Sequence, residues 1–112
     1  MKEINHFALK NHGNFAVRPG FCYVDSRGSR ICVKGPRVLA PGDTGIITLK
    51  DYGIPEGSCL TFYAEVCQGT DREAHQIFIY SEGIPAVAEY VITGTACEST
   101  LGLLTPKSSH IA

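Results

Sequence analysis

No tryptophan occurs in this chain, and methionine occurs once. Without a Cys…Trp…Cys spacing, a true immunoglobulin domain has no support. No apolar run approaches the roughly 20 residues of a membrane-spanning helix. No segment holds a long helical period either, while 12 glycines and 6 prolines punctuate the sequence. Those features favour an all-β architecture. Also missing are a Walker loop, a dinucleotide-binding glycine pattern, a Gly-x-Ser-x-Gly elbow and a zinc-ligand Cys-x-x-Cys. No cofactor is therefore expected. The opening Met1-Lys2-Glu3-Ile4-Asn5-His6 lacks the apolar core of a secretory leader, so a cytoplasmic location or leaderless secretion is expected.

What is present suits one domain. With 112 residues, 44% apolar and 19% charged, the chain can bury a real core without metal or disulfide help. A single domain is expected over residues 1–105, with a flexible tail over 106–112.

The pattern is clearest between Gly53 and Gly69. Leu60, Phe62, Ala64 and Val66 fall on one side, and Cys59, Thr61, Tyr63, Glu65 and Cys67 on the other. Period-two alternation of this kind makes a half-buried strand. Gly53, Pro55 and Gly57 stop it at one end and Gln68-Gly69 at the other. Shorter strands surround it. Glu3–Leu9 is imperfectly patterned. In Phe15–Asp25, residues Phe15, Val17, Phe21 and Tyr23 share parity, and Pro19-Gly20 suggests an edge strand, a bulge or a kink. Ser26-Arg27-Gly28 reads as a hairpin tip leading into Ser29–Val33. Thr44–Leu49, Ala74–Tyr80, Ala86–Thr93 and Thr100–Leu104 follow. The sum is an antiparallel two-sheet β-sandwich, Ig-like or Greek-key, of about eight short strands. Its expected core joins the inner face of the long strand to Ile46, Phe78 or Ile79, Tyr90 and Ile92.

Charge is uneven. Residues 1–40 hold seven basic and two acidic side chains, and residues 41–112 hold three basic and nine acidic ones. Arg18, Arg27, Arg30, Lys34 and Arg37 form a basic cluster on a hairpin and its return strand. Such a cluster suits an anionic glycan, a lipid headgroup or an acidic partner, or else serves as a charged edge that blocks strand addition. A net charge of −1 argues against nucleic acid. Tyr63, between Thr61 and Glu65, is a second recognition candidate. Five cysteines leave at least one unpaired within the chain. Cys22 and Cys32 flank the hairpin turn and are placed to bridge. With no leader, reduced and packed thiols are the default expectation.

Chemistry has few candidates. Asp43-Thr44-Gly45 resembles the tripeptide of aspartic proteases, and the length resembles a retroviral-type subunit, in which two such aspartates share a proton. Here Pro41-Gly42 precedes the aspartate and the strand follows it, the setting of a turn whose Asp caps local backbone. Asp71, Glu73 and His75 alternate and would project together, a weak divalent-metal set. The expected function is a non-enzymatic binding module, possibly a homo-oligomer. The alternatives are a small aspartic- or cysteine-dependent hydrolase and a self-assembling structural β-protein.

Overall fold

A computed structural model of the chain describes residues 2–104 and 107–108. Of the expected tail, residues 106 and 109–112 lie outside the described residues. Lys107–Ser108 form a short strand.

The chain is mostly β. Its strands are Lys2–Ile4 (β1), His6–Asn11 (β2), Val17–Val24 (β3), Arg30–Lys34 (β4), Thr44–Thr48 (β5), Cys59–Val66 (β6), Arg72–Glu73 (β7), Phe78–Tyr80 (β8), Ala86–Gly94 (β9), Ser99–Leu103 (β10) and Lys107–Ser108 (β11). A 3₁₀ turn, Leu49–Tyr52, separates β5 from β6. The larger sheet runs β1-β8-β6-β3-β4, with β7 also on β6; the smaller runs β10-β9-β2-β5, with β11 also on β9.

The sheets are mixed, which corrects the expectation of antiparallel pairing alone. β1 pairs parallel with β8, and β2 pairs parallel with β9. Both pairings have one origin. The segment 2–11 bends at Asn5 and passes from one sheet to the other, and the segment 78–94 makes the same crossing beside it. Ser81 N–H bonds Ile4 O at 3.0 Å and Asn5 N–H bonds Ala86 O at 3.0 Å at the shared corner. The bend also shifts phase, which is why Ile4 and Phe7 are both buried despite opposite parity.

The two sheets pack core face to core face. Phe62 of β6 stacks on Tyr90 of β9, with centroids 4.6 Å apart and planes 10° apart. Phe7 of β2 lies 5.3 Å from Phe62 and 5.9 Å from Phe78. Leu60, Phe62, Ala64 and Val66 are buried as expected, with Phe78, Tyr90 and Ile92. Ile46 is not. It is 64% exposed, and Ile47 takes the core position at 2%. Two adjacent isoleucines leave parity ambiguous, and only one can face in.

β3 is an interior strand, not an edge, despite Pro19. Pro19 pairs with Ala64 on β6, and its carbonyl accepts from Gly35 N–H at 2.8 Å on the other side. A residue in a strand directs its N–H and C=O the same way. The missing N–H of Pro19 therefore faces the side where β4 has ended, and no ladder bond is lost. At Gly20 the backbone of β4 comes so close that a Cβ would lie 2.4 Å from Val33 O.

The expected strand Ala74–Tyr80 is broken. Glu73 faces Tyr63 and Phe78 faces Leu60, so residues 74–77 stand opposite only Thr61 and Phe62. The surplus bulges outward and exposes His75, Gln76 and Ile77.

Candidate functional site

The outward face of the larger sheet carries the sequence candidates. Alternation places Thr61, Tyr63 and Glu65 of β6, Arg30, Cys32 and Lys34 of β4, and Arg18 and Cys22 of β3 on it.

Most of the basic cluster is consumed by ion pairs. Arg30 pairs with Glu73, Lys34 and Arg18 both pair with Glu65, and Arg37 lies 3.9 Å from Asp43. Lys10 pairs with Glu89 on the smaller sheet at 3.6 Å. In every one of these pairs the cation comes from residues 1–40 and the anion from residues 41–112. The charge asymmetry along the sequence is resolved by pairing in space. Arg27 alone of the cluster has no ion pair among the described residues. It sits at the exposed hairpin tip, where Asp25 Oδ1 accepts both Arg27 N–H and Ser29 N–H at 2.9 Å. Gly28 supplies the positive φ of 82° that closes the turn.

Tyr63 is held, not free. Its hydroxyl donates to Asp71 Oδ2 at 2.7 Å, and Asp71 Oδ1 accepts Val66 N–H at 2.9 Å. The hydrogen bond to Asp71, burial and the nearby carboxylates push its phenol up to about 12. Burial alone would raise the Glu73 carboxyl. Hydrogen bonds from Arg30 and Thr61 and the charges of Arg30 and His75 outweigh it, and the net direction is down. The carboxylates of the Asp71, Glu73, His75 set thus already serve protein donors. Among the described residues no group of three or more His, Cys, Asp or Glu side chains is placed to hold a metal. Asp43 behaves as a turn residue. Its Oδ2 accepts Ala40 N–H at 3.1 Å.

The cysteines correct the default of reduced, packed thiols. Cys22 and Cys32 face each other across β3 and β4 and form a disulfide. Cys59 and Cys97 are exposed and Cys67 is half-buried.

The sequence reading missed an apolar hollow beside the disulfide. Val24, Cys59, Thr61 and Ile77 line it with Cys22, and the Arg30 side chain walls it. Its volume is about 110 Å³, and two polar hollows elsewhere measure about 240 and 260 Å³. All three fall below the ~300 Å³ at which pockets begin to enclose a small ligand.

No family model matches the sequence, and no curated protein matches it. Solved structures align with it weakly. Listeriolysin O aligns at a TM-score of 0.48 and 12% identity over 90% of this chain and 22% of that one. A disulfide-locked intermedilysin with human CD59 aligns at 0.47 and 10%, over 92% and 24%. The membrane-binding domain of pneumolysin aligns at 0.44 and 11%, over 90% and 96%. This chain thus spans under a quarter of the two whole toxins. Likeness this slight says nothing about what the chain binds.

The surviving candidate is the end of the molecule that carries the hairpin. Val24 is 46% exposed at the hairpin shoulder, Ile77 is 49% exposed in the bulge, and Ile84 is 38% exposed in the loop between β8 and β9. The Ser81–Pro85 loop lies at this end because Gly57 N–H bonds Tyr80 O at 2.8 Å, beside the start of β6. Charges of both signs lie at this end: Asp25 and Arg27 on the hairpin, and Lys50, Glu56 and Glu82 beside the Ser81–Pro85 loop.

Proposed function

We propose that this chain is a non-enzymatic binding module that docks on a lipid-headgroup surface through its hairpin end. The observation that supports this reading is the clustering of three exposed aliphatics, Val24, Ile77 and Ile84, from three separate segments at one end. Scattered single hydrophobics are normal on a surface; here Val24 and Ile77 share one apolar hollow and Ile84 is exposed in the Ser81–Pro85 loop beyond it, an arrangement that suits an interaction site. Half-exposed aliphatics of this size contribute about 1 kcal/mol each on transfer into an interface. Arg27, unpaired at the tip, is placed to meet a phosphate.

Mixed charge at this end makes apolar contact the main term, so binding tolerates salt and does not require anionic lipid. Co-sedimentation with phosphatidylcholine vesicles, with and without phosphatidylserine, tests the reading. Binding to both is expected, with loss on Val24→Glu combined with Ile84→Glu. Binding confined to anionic vesicles and abolished by salt would return the basic residues to the leading role. No binding to either vesicle would sink the headgroup reading and leave a protein surface as the occupant.

A further inference from the structure

The smaller sheet ends in a strand with no defence. In the pairing of β2 with β5, Leu49 N–H bonds Asn5 O at 3.2 Å and Asn11 N–H bonds Asp43 O at 2.9 Å. Residue sums fix the rest of the ladder: Phe7 and Ile47, and Leu9 and Gly45, are the hydrogen-bonded pairs. The N–H and C=O groups of Thr44, Ile46 and Thr48 therefore point away from β2, toward the free edge. The N–H and C=O groups of Thr44 and Ile46 and the N–H of Thr48 have no hydrogen-bond partner among the described residues; Thr48 is the N-cap of the 3₁₀ turn, and its carbonyl accepts the first bond of that turn. The side chains of the same three residues stand on the outer face of the sheet, and Ile46 is 64% exposed.

We infer that β5 pairs with β5 of a second copy of this chain, antiparallel about a two-fold axis through Ile46. The register follows from the ladder. The outward-facing residues must oppose each other, so Ile46 meets its mate and Thr44 meets Thr48 of the other copy. The sequence Thr44-Gly45-Ile46-Ile47-Thr48 reads the same way from both ends on that face: Thr, Ile, Thr. Threonine faces threonine and isoleucine faces isoleucine, both favourable cross-strand pairs.

The other open edge shows what a defended strand looks like. On β4 the outward residues are Arg30, Cys32 and Lys34, because Gly35 bonds Pro19 and Asp25 bonds Ser29 across the hairpin. The equivalent self-pairing about Cys32 would set Arg30 against Lys34 twice, cation on cation. β1 is three residues long and carries Lys2 and Glu3. Along β10, Ser99 Oγ accepts from Arg72 Nε at 3.2 Å. Among the described strands, β5 combines an open edge, no charge and a sequence symmetric on its outer face.

A five-residue seam is about 17 Å long, so association is reversible and rises with concentration. Sedimentation equilibrium over a concentration series should show the mass climbing from 12.1 kDa toward the dimer. Ile46→Pro removes only an outward N–H and leaves the bonds to β2 intact, so it should stay folded by circular dichroism and remain monomeric. Ile46→Lys should do the same by like-charge contact. Register is tested by oxidative crosslinking against the wild-type background from Cys59, Cys67 and Cys97. Ile46→Cys places its thiol about 5.5 Å, Cα to Cα, from its mate and should crosslink quickly. Thr44→Cys lies about 13 Å from its mate and should not exceed background. A monomer at every concentration, association that persists in folded Ile46→Pro, or equal crosslinking of the two cysteine variants overturns the seam.

Discussion

Phe62→Ala removes the ring at the centre of the sheet-to-sheet contact. Phe62 is fully buried, stacks on Tyr90 at 4.6 Å and meets Phe7 at 5.3 Å. Truncating a buried phenylalanine costs about 3–5 kcal/mol, from lost transfer energy and the cavity left behind. The two ring contacts add about 0.5–1.5 kcal/mol apiece to burial alone, which places this site at the top of that range. A domain of this size holds only about 5–15 kcal/mol in total. Each lost kcal/mol lowers the melting temperature by about 4–8 °C, so a fall of at least 15 °C is expected. Phe62→Leu keeps most of the burial and loses the rings. It should cost about 1–2 kcal/mol, by the aromatic contribution and imperfect packing. Urea titration followed by circular dichroism measures both. A cost near zero for Phe62→Leu beside a large one for Phe62→Ala would show that stacking contributes nothing. A cost below 1 kcal/mol for Phe62→Ala would refute the inward orientation of β6 itself.

Reducing the Cys22–Cys32 bridge, which closes a loop at a sequence separation of 10, should cost about 2.7 kcal/mol on loop entropy and lower the melting temperature by roughly 10–20 °C; no shift under reductant would mean the hairpin register already does that work. The phenol of Tyr63 titrates at about 12 in the folded protein, so its contribution to stability is complete below about pH 10 and disappears as pH rises through 12. Difference absorbance at alkaline pH should lose a late-titrating tyrosine in Tyr63→Phe, and an ordinary titration in the wild type would contradict the Asp71 bond. The depressed carboxyl of Glu73 acts in the opposite window: its stabilisation is present above the ordinary glutamate range and is lost as pH falls through its folded value. Glu73→Gln should flatten the acid limb of stability against pH, and an unchanged limb would discount the Arg30 pair. Asp43→Asn keeps an acceptor for Ala40 N–H and should shift stability by under about 1 kcal/mol; peptide cleavage at acid pH lost on this change would restore the protease alternative.

The inner face of β6 was legible because Leu60, Phe62, Ala64 and Val66 alternate without interruption, and a strand has only two faces. Where apolar residues adjoin, as at Ile46-Ile47, alternation gives two answers and only the neighbouring strand decides. Pro19 misled for a local reason: a proline excludes a hydrogen bond on one side only, and sequence does not say which side is empty. Pairing partners were not legible, since β2 and β9 are brought together by a corner that neither encodes alone. The hollow escaped notice because Val24, Cys59 and Ile77 come from two strand ends and a bulge and share no spacing. Phe78-Ile79-Tyr80 did carry a hint, being apolar on both faces where one faced the core. Asn11 carries no spacing that marks it as core, yet it is buried, with Nδ2 donating to Phe15 O at 2.7 Å and Leu39 O at 3.2 Å. The hairpin that carries Arg27, Arg30 and Lys34 was legible, but the ion-pair partners of Lys34 and Arg30 lay 31 and more residues away.

The corner at Asn5 bears on how the chain reaches this state during synthesis. β2 lies between β5 and β9, and β9 ends at Gly94. Translation proceeds at roughly 5–20 residues per second, so β2 waits several seconds after β5 for its second neighbour. β1 waits likewise for β8. Neither sheet can close until most of the chain has left the ribosome, and the same long loops must be closed at each refolding. Throughout that interval β5 is exposed with its uncharged edge free.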